Sequence, residues 1–162
     1  MNLSKKDLSI VDPMSGRKIV PHVIEPAVGI NSLLLMILID SYTEQGTSAG
    51  GDEGKRVVLN LHPKLAPYKV AVFPLLANKP QLVDRAKEVY EELRKHFQVA
   101  FDDRGNIGKR YLYQDEIGTP WCVTVDFDSL DDGQVTIRDR DTTKQERVAI
   151  TDLVSYFEKK LT

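Results

Sequence analysis

The side chains in this sequence best suited to binding chemistry are Arg104, Asn106, Lys109, Arg110 and Tyr113. Guanidinium and ammonium groups meet phosphates, an amide meets base edges, and a phenol ring can stack on an unpaired base. A second pair, Arg138 and Arg140, lies in the run TIRDRD from Thr136 to Asp141. The opposing reading is an internally paired surface, with Asp103, Asp139 and Asp141 neutralising these arginines. Spacing alone leaves both readings open. Asp102 and Asp103 could ligate a divalent cation. No third acidic ligand is evident at a matching strand end, so a turn and capping role before the next helix is the simpler expectation. The loop Gly46 to Arg56 imitates a phosphate-binding loop, but Ala49 and Arg56 stand where that motif needs Gly and Ser or Thr. A mobile linker is the better reading. His22, His62 and His96 are scattered, Cys122 falls inside an apolar run, and no Ser sits in a nucleophile elbow. Covalent hydrolase chemistry has no assembled machinery here.

The elements that must position these groups run from Lys69 to Asp126. Val70 to Phe73 is a short apolar run, the pattern of a strand covered on both faces. Leu82, Val83, Ala86, Val89, Tyr90, Leu93 and Phe97 fall on one side of a helix, with charged residues opposite. Phe97 to Phe101 reads as a second strand and Asn106 to Ile117 as a second helix, stopped by Gly118 with Pro120 soon after. Trp121 to Val125 is a third strand. This alternation predicts right-handed crossovers and parallel strands. The basic cluster then follows a parallel strand, at the carboxyl edge where open α/β sheets bind ligands.

Downstream, Asp131-Asp132-Gly133 is a turn, Gln134 to Arg138 and Gln145 to Ile150 form a hairpin, and Thr151 can cap a last helix. The predicted fold is α/β. It has about five strands, three parallel plus an antiparallel hairpin, with helices on both faces. Upstream, Asp12 to Gly16 is a turn signature, with extended segments at Ile19-Val20 and His22 to Ile24. Asn31 or Ser32 can cap a helix through Leu33 to Ile39, apolar all round and therefore built for burial. It needs a cover, from the main domain or a second copy. Gln45 to Gly54 reads as a loop or linker and Val57 to Leu61 as a strand, with a boundary between Thr43 and Tyr68.

Net charge is −2, so nucleic-acid contact must come from a local patch. A single cysteine excludes an internal disulfide and fits a cytoplasmic protein. The N-terminus carries no apolar signal core, and Leu33 to Ile39 is far short of the roughly 20 residues a spanning helix needs.

The run DDRGNIGKRYLYQDEIGTPWCVTVDFD, followed by VTIRDRDTTKQERV, resembles the C-terminal anticodon-binding domain of glycyl-tRNA synthetase, a class II synthetase. LHPKLAPYKVAVFPL resembles that domain's first strand, and PHVIEPAVGINSLLLMILIDSY is similar to the last catalytic motif of the same family. The resemblance implies residues 1–45 as a catalytic remnant, 46–67 as linker and lead-in strand, and 68–162 as the anticodon-binding domain. It points to Arg104, Asn106, Lys109 and Arg110, with Arg138 and Arg140 at lower weight, as contacts to the anticodon loop of glycine tRNA. The motif retains Glu25 and Gly29. Ala27 stands where the family has the Ser that holds glycine, and Ser32 where it has the Arg that grips ATP phosphates. No catalytic site is therefore expected to be intact. ATP and Mg would belong to the parent enzyme, a homodimer, and no cofactor to this chain. The expectation is a C-terminal fragment, natural or engineered, binding tRNA with no chemistry of its own. It would be a monomer or self-associate through the 33–39 helix, with no membrane. One rival is a catalytically dead synthetase paralogue acting as an accessory subunit. Another is a small nucleotide- or metal-binding enzyme using Asp102 and Asp103.

Overall fold

The computed structural model describes residues 5–46 and 55–162. Contacts divide the chain into two units, one ending at Leu33 and the other running from Leu34 to Thr162. In the first, β1 (Ile10–Val11) pairs antiparallel with β2 (Lys18–Ile19). The turn between them is closed by Asp12, whose carboxylate accepts from the amides of Met14 and Ser15, and by Gly16 at φ 65°. His22 to Ile24 forms no regular element.

Helix α1 (Ile30–Ser41) begins earlier than its polar residues suggested. The carbonyl of Gly29 accepts from Leu33 N at 3.0 Å, so Asn31 and Ser32 lie inside the first turn instead of capping it. Leu33, Leu34, Leu35, Met36, Leu38 and Ile39 are each at least 38% exposed. Next, β3 (Tyr42–Gly46) pairs antiparallel with β4 (Lys55–Leu59), in a register running from Tyr42↔Leu59 to Gly46↔Lys55. The predicted strand thus lies two residues earlier, and Gln45 and Gly46, read as loop, belong to its partner. Most of the linker and of the phosphate-loop imitation, residues 47–54, lies outside the described residues.

The main sheet has the order β6-β5-β7-β8-β9. β5 (Val70–Pro74) is central and parallel to both β6 (Val99–Phe101) and β7 (Trp121–Val125). β8 (Gln134–Asp139) and β9 (Gln145–Ala149) continue it antiparallel. This is the α/β fold with three parallel strands and a hairpin that the pattern predicted. β6 starts late because Phe97 N still donates to Leu93 O, completing the last turn of the preceding helix.

Helix α2 (Pro80–Leu93) opens on Pro80, whose missing N–H costs nothing at a first helical position. It buries Leu82, Ala86, Val89 and Leu93 on Val70, Val72, Val99 and Val123. Alternation sends Ala71, Phe73 and Cys122 to the opposite face, under Ile107 and Tyr111 of α3 (Ile107–Ile117). The helix α5 (Leu153–Leu161) returns to the α2 face through Leu153 and Phe157. Thr151 does not cap α5; it falls in a 3-10 turn, Ile150–Asp152. A one-turn helix, α4 (Asp128–Asp132), occupies the predicted turn after β7.

Candidate nucleic-acid interface

The connection leaving β5 passes to α2 on one face of the sheet, and the connection leaving β6 passes to α3 on the other. Adjacent strands whose exits diverge leave a crevice at their carboxyl ends. A groove of about 410 Å3 lies there. One wall is Leu75, Leu76, Ala77 and Asn78, and the other is Gly105, Asn106, Ile107 and Arg110.

Arg110 ties the walls together. It is 2% exposed. Its Nη1 donates to Pro74 O at the end of β5, Nε to Arg104 O at 2.9 Å, and Nη2 to Gly105 O at 2.9 Å. Burial pulls its pKa below the ordinary guanidinium value, yet arginine keeps its charge at any physiological pH. Arg110 is therefore a strut of the site, with its guanidinium spent on three backbone carbonyls.

The outward-facing groups are Arg104, Asn106, Lys109 and Tyr113. Asn106 is the N-cap of α3, its side-chain oxygen accepting from Lys109 N at 2.8 Å. Arg104 donates from Nε and Nη2 to the two carboxylate oxygens of Asp102, at 2.9 and 3.2 Å. That guanidinium holds the Asp102 carboxyl below the usual carboxylate range. Asp102 also accepts from Arg104 N, the turn role expected of it. Lys109 is exposed and has no ion pair among the described residues. Tyr113 is 51% exposed and within electrostatic reach of Arg104. Gly105, at φ 63°, supplies the backbone turn that lets the loop double back into α3.

Arg138 and Arg140 do not join this surface, which corrects their sequence assignment as RNA contacts. Arg138 is 8% exposed and Arg140 2%. Arg138 donates to both oxygens of the fully buried Asp115, at 3.0 and 3.1 Å, and lies 4.9 Å over the Tyr111 ring. Arg56 donates to the same carboxylate at 2.8 Å, to Gln45 at 2.7 Å and to Arg140 O at 2.7 Å. Arg140 in turn donates to Gly118 O at 2.7 Å and Leu61 O at 2.9 Å, and pairs with Asp141. This clamp joins β4, the C-terminal end of α3 and β8. Arg56 therefore belongs to the clamp and has no part in a phosphate loop. Gly118, at φ 83°, completes it; a Cβ there would come within 2.9 Å of Leu61 Cδ1.

His22, His62 and His96 are all exposed and far apart in sequence. Burial pushes the Cys122 thiol well up, which removes it as a nucleophile. Among the described residues no cluster of three His, Cys, Asp or Glu could hold a metal ion, and no helix is long and apolar enough to cross a membrane. Glu25, Ala27, Gly29 and Ser32 all lie on exposed chain in the first unit.

Residues 69–160 match the model of the anticodon binding domain family. The chain is 50% identical over 159 residues to a "Glycine--tRNA ligase" of Lachnoclostridium phytofermentans, covering 98% of this chain and 33% of that protein. It is 49% identical to the protein of that name from Clostridium perfringens, with the same shares covered. The chain thus spans about a third of the length of these relatives. Among solved structures, a prolyl-tRNA synthetase from Cryptosporidium parvum, complexed with L-proline and AMP, matches with a TM-score of 0.60 at 25% identity. That match covers 64% of this chain and 24% of the other.

Proposed function

Because this chain belongs to the anticodon-binding domain family, we propose that it binds the anticodon loop of glycine tRNA through the carboxyl-edge groove, contributing tRNA recognition to a glycine–tRNA ligase. The supporting observation is the conjunction of relatives of that name with Arg104, Asn106, Lys109 and Tyr113 exposed beside a groove at the ligand edge of the sheet. The cations would take phosphates, and the groove an unstacked base whose edge is read by amide and backbone groups. Residues 68–162 would form the binding domain, 46–67 its lead-in and 1–45 a catalytic remnant. Aminoacylation, with its ATP and Mg, would belong to the longer parent enzyme. Ala27 and Ser32 support that division, since each lacks the group the family uses at that place. A cytoplasmic setting follows from a role in translation.

Titration with a glycine tRNA transcript at two salt concentrations, against the same transcript with its anticodon C-C replaced, tests this. Binding should weaken with salt and with the replacement, and the salt slope counts the phosphate contacts. Indifference to the anticodon would leave a basic patch without readout.

A second reading, an accessory subunit, is favoured by one observation. The apolar face of α1 opens on a cavity of about 480 Å3 lined by Leu34, Ile37, Leu38, Leu59, Leu61 and Leu65 among others. Such a surface calls for a protein cover. A strict monomer in sedimentation, with no captured partner, would dismiss it.

A further inference from the structure

We propose that Phe127 is a base-stacking residue, and that with Leu76 and Leu130 it makes a ledge seating one unpaired base of the bound RNA. The inference rests on the RNA-binding reading and adds to it a contact that composition and spacing did not suggest.

The ledge is built by local rules. β5 and β7 run parallel in the register Pro74↔Val125, and Leu75 N donates to Val125 O at 2.8 Å beyond it. The two strands therefore end side by side. Past that point, Asp126 and Ser129 form a reciprocal capping pair. Ser129 N donates to Asp126 Oδ1 at 2.9 Å, and Asp126 N donates to Ser129 Oγ at 3.1 Å. Arg147 and Thr136 fasten the other carboxylate oxygen of Asp126, at 2.9 and 3.2 Å. With both ends of this turn fixed, Phe127 is held at its start, in helical backbone conformation and 42% exposed. Leu130, one turn on and on the same side of the helix, is 38% exposed. Leu76, at the end of β5, is 41% exposed and is also part of the groove wall. Groove and ledge thus share a residue.

Charge decides what can lie on it. Asp128 and Asp131 are exposed beside Phe127 and Leu130 and carry no ion pair among the described residues. They repel phosphate and anionic lipid, but accept hydrogen bonds from the amino groups of bases. The cations Arg104 and Lys109 stand on the other side of the groove. A single-stranded RNA satisfies both halves, with its backbone on the cations and the neutral face of a base on the phenyl ring. A polyanion without bases satisfies only one.

The test uses the full chain and a glycine tRNA transcript carrying a fluorescent cytosine analogue at one anticodon position. Unsubstituted protein should quench the fluorophore on binding. Phe127→Ala should weaken binding between about fivefold and about a hundredfold and abolish the quench, and Phe127→Trp should restore both. Stacking releases no counterions, so Phe127→Ala should leave the salt slope as it was, whereas Lys109→Ala lowers it by about one. If Phe127→Ala binds and quenches like the parent while Arg104→Ala with Lys109→Ala binds weakly, the ledge is refuted and RNA binding stands. If neither change affects binding, the RNA-binding reading falls, and the ledge with it.

Discussion

Arg104 and Arg138 come from runs that read alike, DDRG and IRDR, yet one side chain is 81% exposed and the other 9%. The first sits on a loop at the carboxyl edge of the sheet, paired with one carboxylate and open to solvent. The second is locked between Asp115 and the Tyr111 ring. Arginine serves both places because its planar fork suits a carboxylate, a carbonyl trio or a phosphate equally well. What separates the two regions is the burial of the arginine itself, since the partner carboxylates are 11% and 0% exposed. Asp115 is 0% exposed and needs its cations, whereas Asp102 keeps a solvent-facing arginine that a phosphate can compete for.

The sharpest way to break this comparison is to remove Asp115. Asp115→Ala leaves Arg56 and Arg138 buried without their counter-charge and should lower unfolding stability by about 3–5 kcal/mol, read as a shift in the urea midpoint. Arg104→Ala should shift that midpoint only slightly, as loss of a solvent-exposed pair does, and weaken tRNA binding. Equal midpoints for the two variants would erase the distinction. Arg110 lies between the extremes. Arg110→Met strands carbonyls at Pro74, Arg104 and Gly105 and should cost about 1–3 kcal/mol. It should also speed hydrogen exchange across residues 104–109, and it should weaken RNA binding through loss of groove shape, with an unchanged salt slope. The smallest effect is in pH. Arg104 depresses the Asp102 carboxyl, so its contribution to stability is full above the ordinary carboxylate value and fades as pH falls through the depressed folded value. In carbon-detected NMR titration, Arg104→Ala should return Asp102 towards the ordinary range. An unmoved Asp102 would mean that the pair does not persist in solution.

Much of the sheet was readable because hydrophobic period carried it. Val70 to Phe73 and Trp121 to Val125 are unbroken apolar runs, and Leu82, Ala86, Val89 and Leu93 repeat at helical spacing. The β3 strand leaves no signal in the sequence, because Tyr42-Thr43-Glu44-Gln45 has no apolar alternation; its register is set by β4 and by Arg56 reaching Gln45. The surface around the groove was half readable. That Arg104, Asn106 and Lys109 stand exposed at the strand's carboxyl end follows from the strand–loop–cap pattern. The burial of Arg138 and Arg140 does not, since it depends on Asp115, Gly118 and Leu61, which are remote in sequence. Helix α3 compounds this by burying Arg110, Gln114 and Asp115, types that periodicity assigns to water. Phe127 gives no such signal, because a single aromatic after a strand carries no period at all.

The clamp also bears on time. Arg56 meets Asp115 across 59 positions and Arg140 O across 84, while Arg140 meets Leu61 O across 79. The crossovers of β5, α2 and β6 close far shorter loops. Contacts of such separation carry the larger loop-closure entropy and join after the local units have formed. Loosening them should therefore speed unfolding while leaving refolding nearly unchanged. A buried carboxylate with its arginines thus sets how long the folded domain lasts between openings, while the crossovers set how quickly it forms.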